Sequence, residues 1–436
     1  MAVSKVILNG TTLIDATTAT AAAENIISPY TAMLADGVMT TGTGSGGGDI
    51  VPSAEDNDVI FIDYDGAILY SYTAQEFAQL SALPSNPSHS GLTSQGWNWT
   101  LADAKEYVAA VGGLVIGQHY IPSDEKTHIK MVEVSGNPAN RRNFYIGIKS
   151  SVANNVTVDW GDGTTETIGA TTLTEYEHVY SSPGEYEITL QVNDGTVAFG
   201  EDDPAISSNN TFFGPNVSNS SPENRYVPAK VRSIFIGTGV TALGRYAFAY
   251  CYGLEKVTLP NQALHFFYSP FYYSQIHGLV IPQNSTIGHN LSFGYATSMQ
   301  YIAVPKTLNV RESYGSLLFA YNSSLKRLYL PSTITSIAGT SSVSYLQACH
   351  AMTKIIIPSW VSSIGIRTFY NTKGSFSEYH FLSDEPPVLS SVNAFDNIAS
   401  DAVIYVPYSE DHSILSAYQN ATNWSTYTSK MQEETV

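Results

Sequence analysis

Charge is scarce in this sequence. Only 13% of its 436 residues are Asp, Glu, Lys or Arg, about half the ordinary globular share, and the balance is acidic, at a net −18. An acidic chain has no electrostatic grip on nucleic acid or anionic lipid, so neither is expected as a partner. Cysteine is scarcer still: Cys251 and Cys349 are too few for a disulfide framework, and no CxxC or Cys/His spacing offers a metal site. Long apolar runs are also missing. The start, MAVSKVILNG, is too short of apolar residues for a secretory signal, and no later stretch is long enough to span a bilayer. The expectation is a chain made in a cytoplasm, without membrane insertion, that reaches an outside target by lysis or within a particle. Catalytic signatures are absent too: there is no GxSxG, HExxH or P-loop, and the ten histidines are scattered. No catalytic residue, cofactor or metal ligand is assigned, and the chain is read as a non-enzyme. Paired carboxylates for glycoside hydrolysis stay open, because their separation is a tertiary property.

What is abundant points to β structure. There are 29 Tyr and 33 Gly, alongside many Thr, Ser and Asn, a composition of strands and turns. The length allows roughly two to four domains, so the expected fold class is mostly β and multidomain. Residues 1–49 hold a strand-like VILNGTTLI with an Asn9-Gly10 turn, a second turn at Asp36-Gly37 and a Gly/Ser linker. Residues 50–150 read as a small α+β domain. Within them DVIFIDYDGAILYSYT gives strand, Asp-Gly turn and strand, and Thr73 with Glu76 makes a capping box. A helix runs from Thr100 to a stop at Gly112, before the strand LVIGQHYI. Asp63, Asp65 and Gly66 look like the start of a calcium loop, but the further ligands do not follow, so a strand turn is expected.

Residues 151–200 contain DWGDGT. Val156, Val158 and Trp160 alternate into it; Tyr176, His178 and Tyr180 alternate after it; Pro183-Gly184 then turns into Tyr186, Ile188, Leu190 and Val192. In that setting Asp162 and Gly163 shape a turn and Trp160 packs a core. The pattern resembles the PKD domain, which implies an immunoglobulin-like β-sandwich serving as spacer or binding module. After a linker at 201–227, residues 228–400 repeat. Taking Gly237, Pro260, Pro282, Pro305, Pro331 and Pro358 as anchors, the steps are 23, 22, 23, 26 and 27. With VRSIFIGTGVTALGRYAFAYCYGLEKVTLP as the clearest unit, the region resembles BspA-like leucine-rich repeats, which implies a solenoid. Residues 401–436 resemble the cap that closes such arrays, which the last repeat needs to cover its core. Cys251 and Cys349 fall in different repeats and read as small buried residues.

One and three residues before each anchor stand aliphatic pairs, from Ile236/Ile234 to Ile357/Ile355, which period 2 turns into the core. The residues between and beside them then point outward: Phe235, Thr258, Val280, Tyr301, Ala303, Arg327, Tyr329, Lys354 and Ile356. This row is either a contact face or the ordinary aromatic and β-branched surface of a sheet. Likewise FFYSPFYYS at 266–274 either holds sugar faces with its rings or fills the solenoid's core.

The N-terminal 40 residues resemble a module of phage and prophage tail proteins, and 91–105 resembles a segment of gut-bacterial prophage proteins. These resemblances imply a virion structural protein, tail more than head: a tail fibre or receptor-binding component. Its expected partners are other virion proteins at the N-terminal module and a host surface protein or glycan at the repeats. Phage fibres are commonly trimeric, which implies a homotrimer. A capsid or neck decoration protein, a bacterial surface adhesin and a tail-borne glycan hydrolase are the alternatives.

Overall fold

The computed structural model describes residues 58–133, 142–201, 211–214, 226–288, 291–310, 318–339, 345–372 and 376–435, with the backbone of four strands between residues 5 and 41. The chain divides into two compact units, 1–57 and 58–436. In the first, Lys5–Leu8 pairs antiparallel with Thr11–Asp15, and Thr31–Met33 with Met39–Thr41. These pairs flank the two expected turns; the turn residues and the Gly/Ser linker lie outside the described residues. The protein is mostly β, with 11% helix.

The second unit begins with a four-stranded sheet in the order Ile68–Tyr72, Val59–Ile62, Leu114–Pro122, Leu92–Trp97. Helix Ala74–Gln79 opens on the expected Thr73/Glu76 capping box, and helix Leu101–Val111 ends at Gly112 with φ +87°, a conformation glycine takes without a Cβ clash. Val59, Phe61, Leu114 and Ile116 face the helices. Ile60, Ile62 and Val115 face the other way and are buried as well, so the two central strands are covered on both faces.

Next come two sheets that share one core. One runs Thr165–Ile168, Val156–Asp159, Gly184–Val192, Thr127–Glu133 and then directly into Val231–Phe235 and Lys256–Thr258 of the repeats. The other runs Thr174–Val179, Asn143–Ser150, Val197–Phe199 and on into Val240–Leu243, His265–Phe266, Thr286–Ile287 and Asn309–Val310. Strands Thr127–Glu133 and Asn143–Ser150 thus pair within these two sheets and not with the four-stranded sheet, and strand pairing runs from both sheets directly into the repeats. The physical reason is edge pairing: strand edges of the two-sheet part hydrogen-bond to the first coil and leave it no open edge.

The repeats form a β-solenoid of about 7 turns. All twelve aliphatic anchor neighbours, from Ile234 and Ile236 to Ile355 and Ile357, are buried, as period 2 requires. The end is closed by strand Met431–Glu433, parallel to Val403–Val406, and by helix Ser413–Asn420 with a fully buried Trp424 whose Nε1 donates to the Pro387 carbonyl at 2.7 Å.

The DWGDGT segment is a turn. Asp162 Oδ1 accepts from the Thr164 N–H at 3.1 Å and its hydroxyl at 2.6 Å, and Gly161 and Gly163 take φ +78° and +90°. Trp160 is buried, and the His178 ring stacks on it at 4.7 Å while Nε2 meets Asp162 Oδ2 at 2.8 Å. Burial works against the Asp162 carboxylate, but the hydrogen bonds from Thr164 and His178 outweigh it and lower its pKa.

Candidate recognition surface

The outward row of the repeats is not a free face. Of its nine residues Lys354 alone is exposed; Thr258, Val280, Tyr301 and Ala303 are buried, and Phe235, Arg327, Tyr329 and Ile356 are half-buried. The α+β part lies on it. Tyr64 meets the Phe235 ring edge-on at 5.8 Å, Ile60, Ile62 and Val115 pack on Val280, Tyr301 and Ala303, and the Tyr329 hydroxyl donates to the Asp58 carbonyl at 3.2 Å. Ile356 joins the cluster around Tyr107. At Gly117 a Cβ would stand 2.4 Å from Val280 Cγ2, so only glycine lets the sheets approach this closely. The expectation of an open contact row is therefore corrected: the apolar residues are there because another part of the same chain covers them. The overlooked signal was in VIFI and LVIGQHYI, unbroken apolar runs of the kind that mark strands buried on both faces.

The cover also answers a backbone problem created by the prolines. In a parallel ladder the carbonyl just before each anchor accepts from the anchor N–H of the next coil. Ile357, whose next coil carries Leu382 there, makes that bond at 3.0 Å. Leu259, Ile281, Val304 and Leu330 cannot, since Pro282, Pro305, Pro331 and Pro358 have no N–H. The α+β part supplies donors instead. His119 Nδ1 meets the Leu259 carbonyl at 3.0 Å, Trp99 Nε1 donates to Val304 at 3.0 Å and the Tyr107 hydroxyl to Leu330 at 2.7 Å. The Ile281 carbonyl lies against the same His119 ring, whose Nε2 closes no hydrogen bond. Burial pushes the His119 pKa down to about 4, against the pull of the two carbonyls. Lys306 adds an ion pair to Asp103 at 2.5 Å. An interface that satisfies otherwise orphaned buried carbonyls is an integral one.

Another side of the solenoid carries a row of tyrosines. In successive coils Tyr250, Tyr273, Tyr295 and Tyr321 occupy one equivalent loop position at φ +56° to +67°, a position held further on by Ala348, Asn371 and Asn397. Asn tolerates this left-handed conformation; an aromatic residue is strained in it. The tyrosines are tied coil to coil through backbone bonds such as Tyr250 N–H to the Tyr272 carbonyl and Tyr273 N–H to the Tyr295 carbonyl. Their rings form one network, with Tyr295 stacked on Tyr321 at 4.2 Å, Tyr272 tilted against Tyr295 at 4.7 Å, and Arg245 over Tyr246 and Tyr268. Tyr250 and Tyr272 are buried, Tyr246, Tyr268, Tyr273, Tyr295 and Tyr321 half-buried, and Tyr252 exposed. FFYSPFYYS divides: Phe266, Phe267 and Phe271 fill the interior, as the core reading expects, while Tyr268, Tyr272 and Tyr273 join the tyrosine edge. Sequence reasoning missed the strained positions, although a Tyr recurring at steps of 23, 22 and 26 was legible.

The remaining candidates are structural. Asp63 holds His89 at 2.7 Å and the Tyr64 N–H, and Asp65 accepts from the Ala67 N–H, so IDYDG is a turn. Cys251 and Cys349 are buried free thiols, and burial raises the pKa of both. Among the described residues no three His, Cys, Asp or Glu side chains converge on a possible metal, and no helix is long and apolar enough to cross a membrane.

Residues 222–342 and 341–428 match the BspA type leucine rich repeat region, in six copies. Among solved structures the chain is similar to a leucine-rich repeat protein from Bacteroides ovatus ATCC 8483. The similarity is 17% identity over 39% of this chain and 48% of that one, with a TM-score of 0.28, so the match spans about half of that protein's length. No curated protein matches.

Proposed function

We propose, given BspA type leucine-rich repeats over residues 222–428, that this is a non-enzymatic recognition protein whose contact surface is the tyrosine edge of the solenoid. The observation that carries the reading is the run of four tyrosines in left-handed backbone. Each costs on the order of 1 kcal/mol relative to an unstrained residue, and strain of that kind is commonly kept where function needs it. The setting we propose is a bacteriophage virion, at the tail, with unit 1–57 attaching to other virion proteins, homotrimeric assembly and a host surface protein or glycan as target. The PKD-like DWGDGT pattern fits a spacer between attachment and contact.

Two experiments test this. Antibody or gold labelling of intact particles, with host cells as control, distinguishes tail, head and cell; labelling confined to the cell would sink the virion setting. Tyr273→Asn and Tyr295→Asn together relieve the backbone while removing two rings. Binding of the fluorescent protein to cells that capture the wild type should fall at least about tenfold, a loss of about 1.4 kcal/mol, with the melting temperature held. Unchanged binding would remove the tyrosine edge from the recognition role.

A further inference from the structure

A lysine is buried where the two-sheet part meets the first coil. Lys230 ends the 3-10 turn Pro228–Lys230 and is 4% exposed, and its Nζ donates to the buried Glu133 Oε2 at 2.6 Å. Glu133 is the last residue of strand Thr127–Glu133 in one sheet; Asn143 is the first of strand Asn143–Ser150 in the other. Nζ also donates to the Asn143 backbone oxygen at 3.1 Å and lies 5.3 Å from the Tyr226 ring centroid. The Tyr226 hydroxyl donates to Asn143 Oδ1. The amide nitrogen of the same side chain donates to the Tyr145 hydroxyl at 2.6 Å and to Glu177 Oε1 at 3.0 Å. Burial lowers the lysine's pKa, opposed by Glu133.

An ion pair buried in this way often serves only as a tie. Here the amine touches the backbone oxygen of a residue whose own carboxamide has its oxygen polarised by a hydroxyl and its nitrogen held. We propose that Lys230 and Asn143 become joined by an intramolecular isopeptide bond, with Glu133 carrying the protons. The Lys230 ammonium gives a proton to Glu133. The freed lone pair attacks Asn143 Cγ, and the carbonyl electron pair moves onto Oδ1, where the Tyr226 hydroxyl stabilises it. Glu133 hands its proton to Nδ2 while taking one from Nζ; the carbonyl re-forms, the Cγ–Nδ2 bond breaks and ammonia leaves, taking the proton from Glu133. An ammonium group and a carboxamide thus become an amide and an ammonium ion, with no oxidant and no external reactant. Attack requires the Asn143 side chain to swing from Tyr145 and Glu177 towards Nζ, which already touches the backbone oxygen of the same residue. The product is a covalent staple between the two sheets at the base of the solenoid.

Intact-mass spectrometry of the full-length protein, followed by peptide mapping, decides the matter. The expected mass is one ammonia, about 17 Da, below that of the sequence, with a branched peptide joining Lys230 to Asn143. Glu133→Gln and Lys230→Arg should both restore the sequence mass. An unmodified mass in folded wild-type protein overturns the proposal. So does an ammonia loss that persists in Lys230→Arg, which would be a succinimide at Asn143. Should a variant fail to fold, the wild-type peptide map alone still decides, because the branched peptide is either present or absent.

Discussion

Removing the Tyr107 hydroxyl should cost more than one surface hydrogen bond, and the cost should depend on a proline in the coil after the one it serves. The hydroxyl donates to the Leu330 carbonyl at 2.7 Å in a buried site, and the ladder donor that would replace it is absent because the next coil presents Pro358. Tyr107→Phe leaves the ring's packing against Trp99 and Trp360 but strands a buried acceptor, a loss of about 2 kcal/mol. Pro358→Ala returns an N–H to the position from which Leu382 serves Ile357. By itself it should cost about 0.4–1 kcal/mol through the freer unfolded chain. In the Pro358→Ala background, however, Tyr107→Phe should cost roughly 1 kcal/mol less than in the wild type, because Leu330 regains a partner. Urea unfolding of the four proteins, compared by midpoint at constant slope, measures the cycle. Strict additivity would refute the account of proline-orphaned carbonyls, and a Tyr107→Phe cost near zero would refute the role of the cover.

Three further outcomes follow from the same geometry. His119, with a folded pKa of about 4 against 6.5 unfolded, is neutral when folded. Its contribution is therefore fully present above pH 6.5 and is lost as pH falls towards 4, by about 3 kcal/mol in all; unfolding midpoints between pH 7 and 4.5 should show this slope in the wild type and a shallower one in His119→Gln. Trp424→Ala empties the fully buried heart of the C-terminal cap and should cost about 3–5 kcal/mol, with amide exchange rising first in Val403–Val406. Calcium at millimolar concentration should leave the melting temperature unchanged, because Asp162 already serves Thr164 and His178; a shift of several degrees would restore a metal role to that turn.

Local chemistry was readable in advance. Period 2 placed Ile234, Ile236 and their counterparts in the core because a strand's side chains alternate whatever lies beyond it. DWGDGT reads as a turn since Asp bonds its own backbone and Gly accepts positive φ. Thr73 with Glu76 marks a helix start for equally local reasons. Strands Thr127–Glu133 and Asn143–Ser150 alternate as any strands do, and only their pairing tells which sheet they join.

The sequence by itself determined that residues 228–400 repeat, that an aliphatic pair stands one and three residues before each anchor and turns inward, and that five of the six anchors are proline. It also put a row of Phe, Val, Tyr and Ile on the outward side of the strands. Only the tertiary structure decided that the row is covered, since Tyr64, Trp99, Tyr107 and His119 reach it from more than 130 residues earlier in the chain. Periodicity reports which side of a strand is apolar; it carries no information about what lies against that side. The left-handed tyrosines were decided the same way, because a backbone conformation that the residue itself disfavours is imposed by the coils stacked on either side of it.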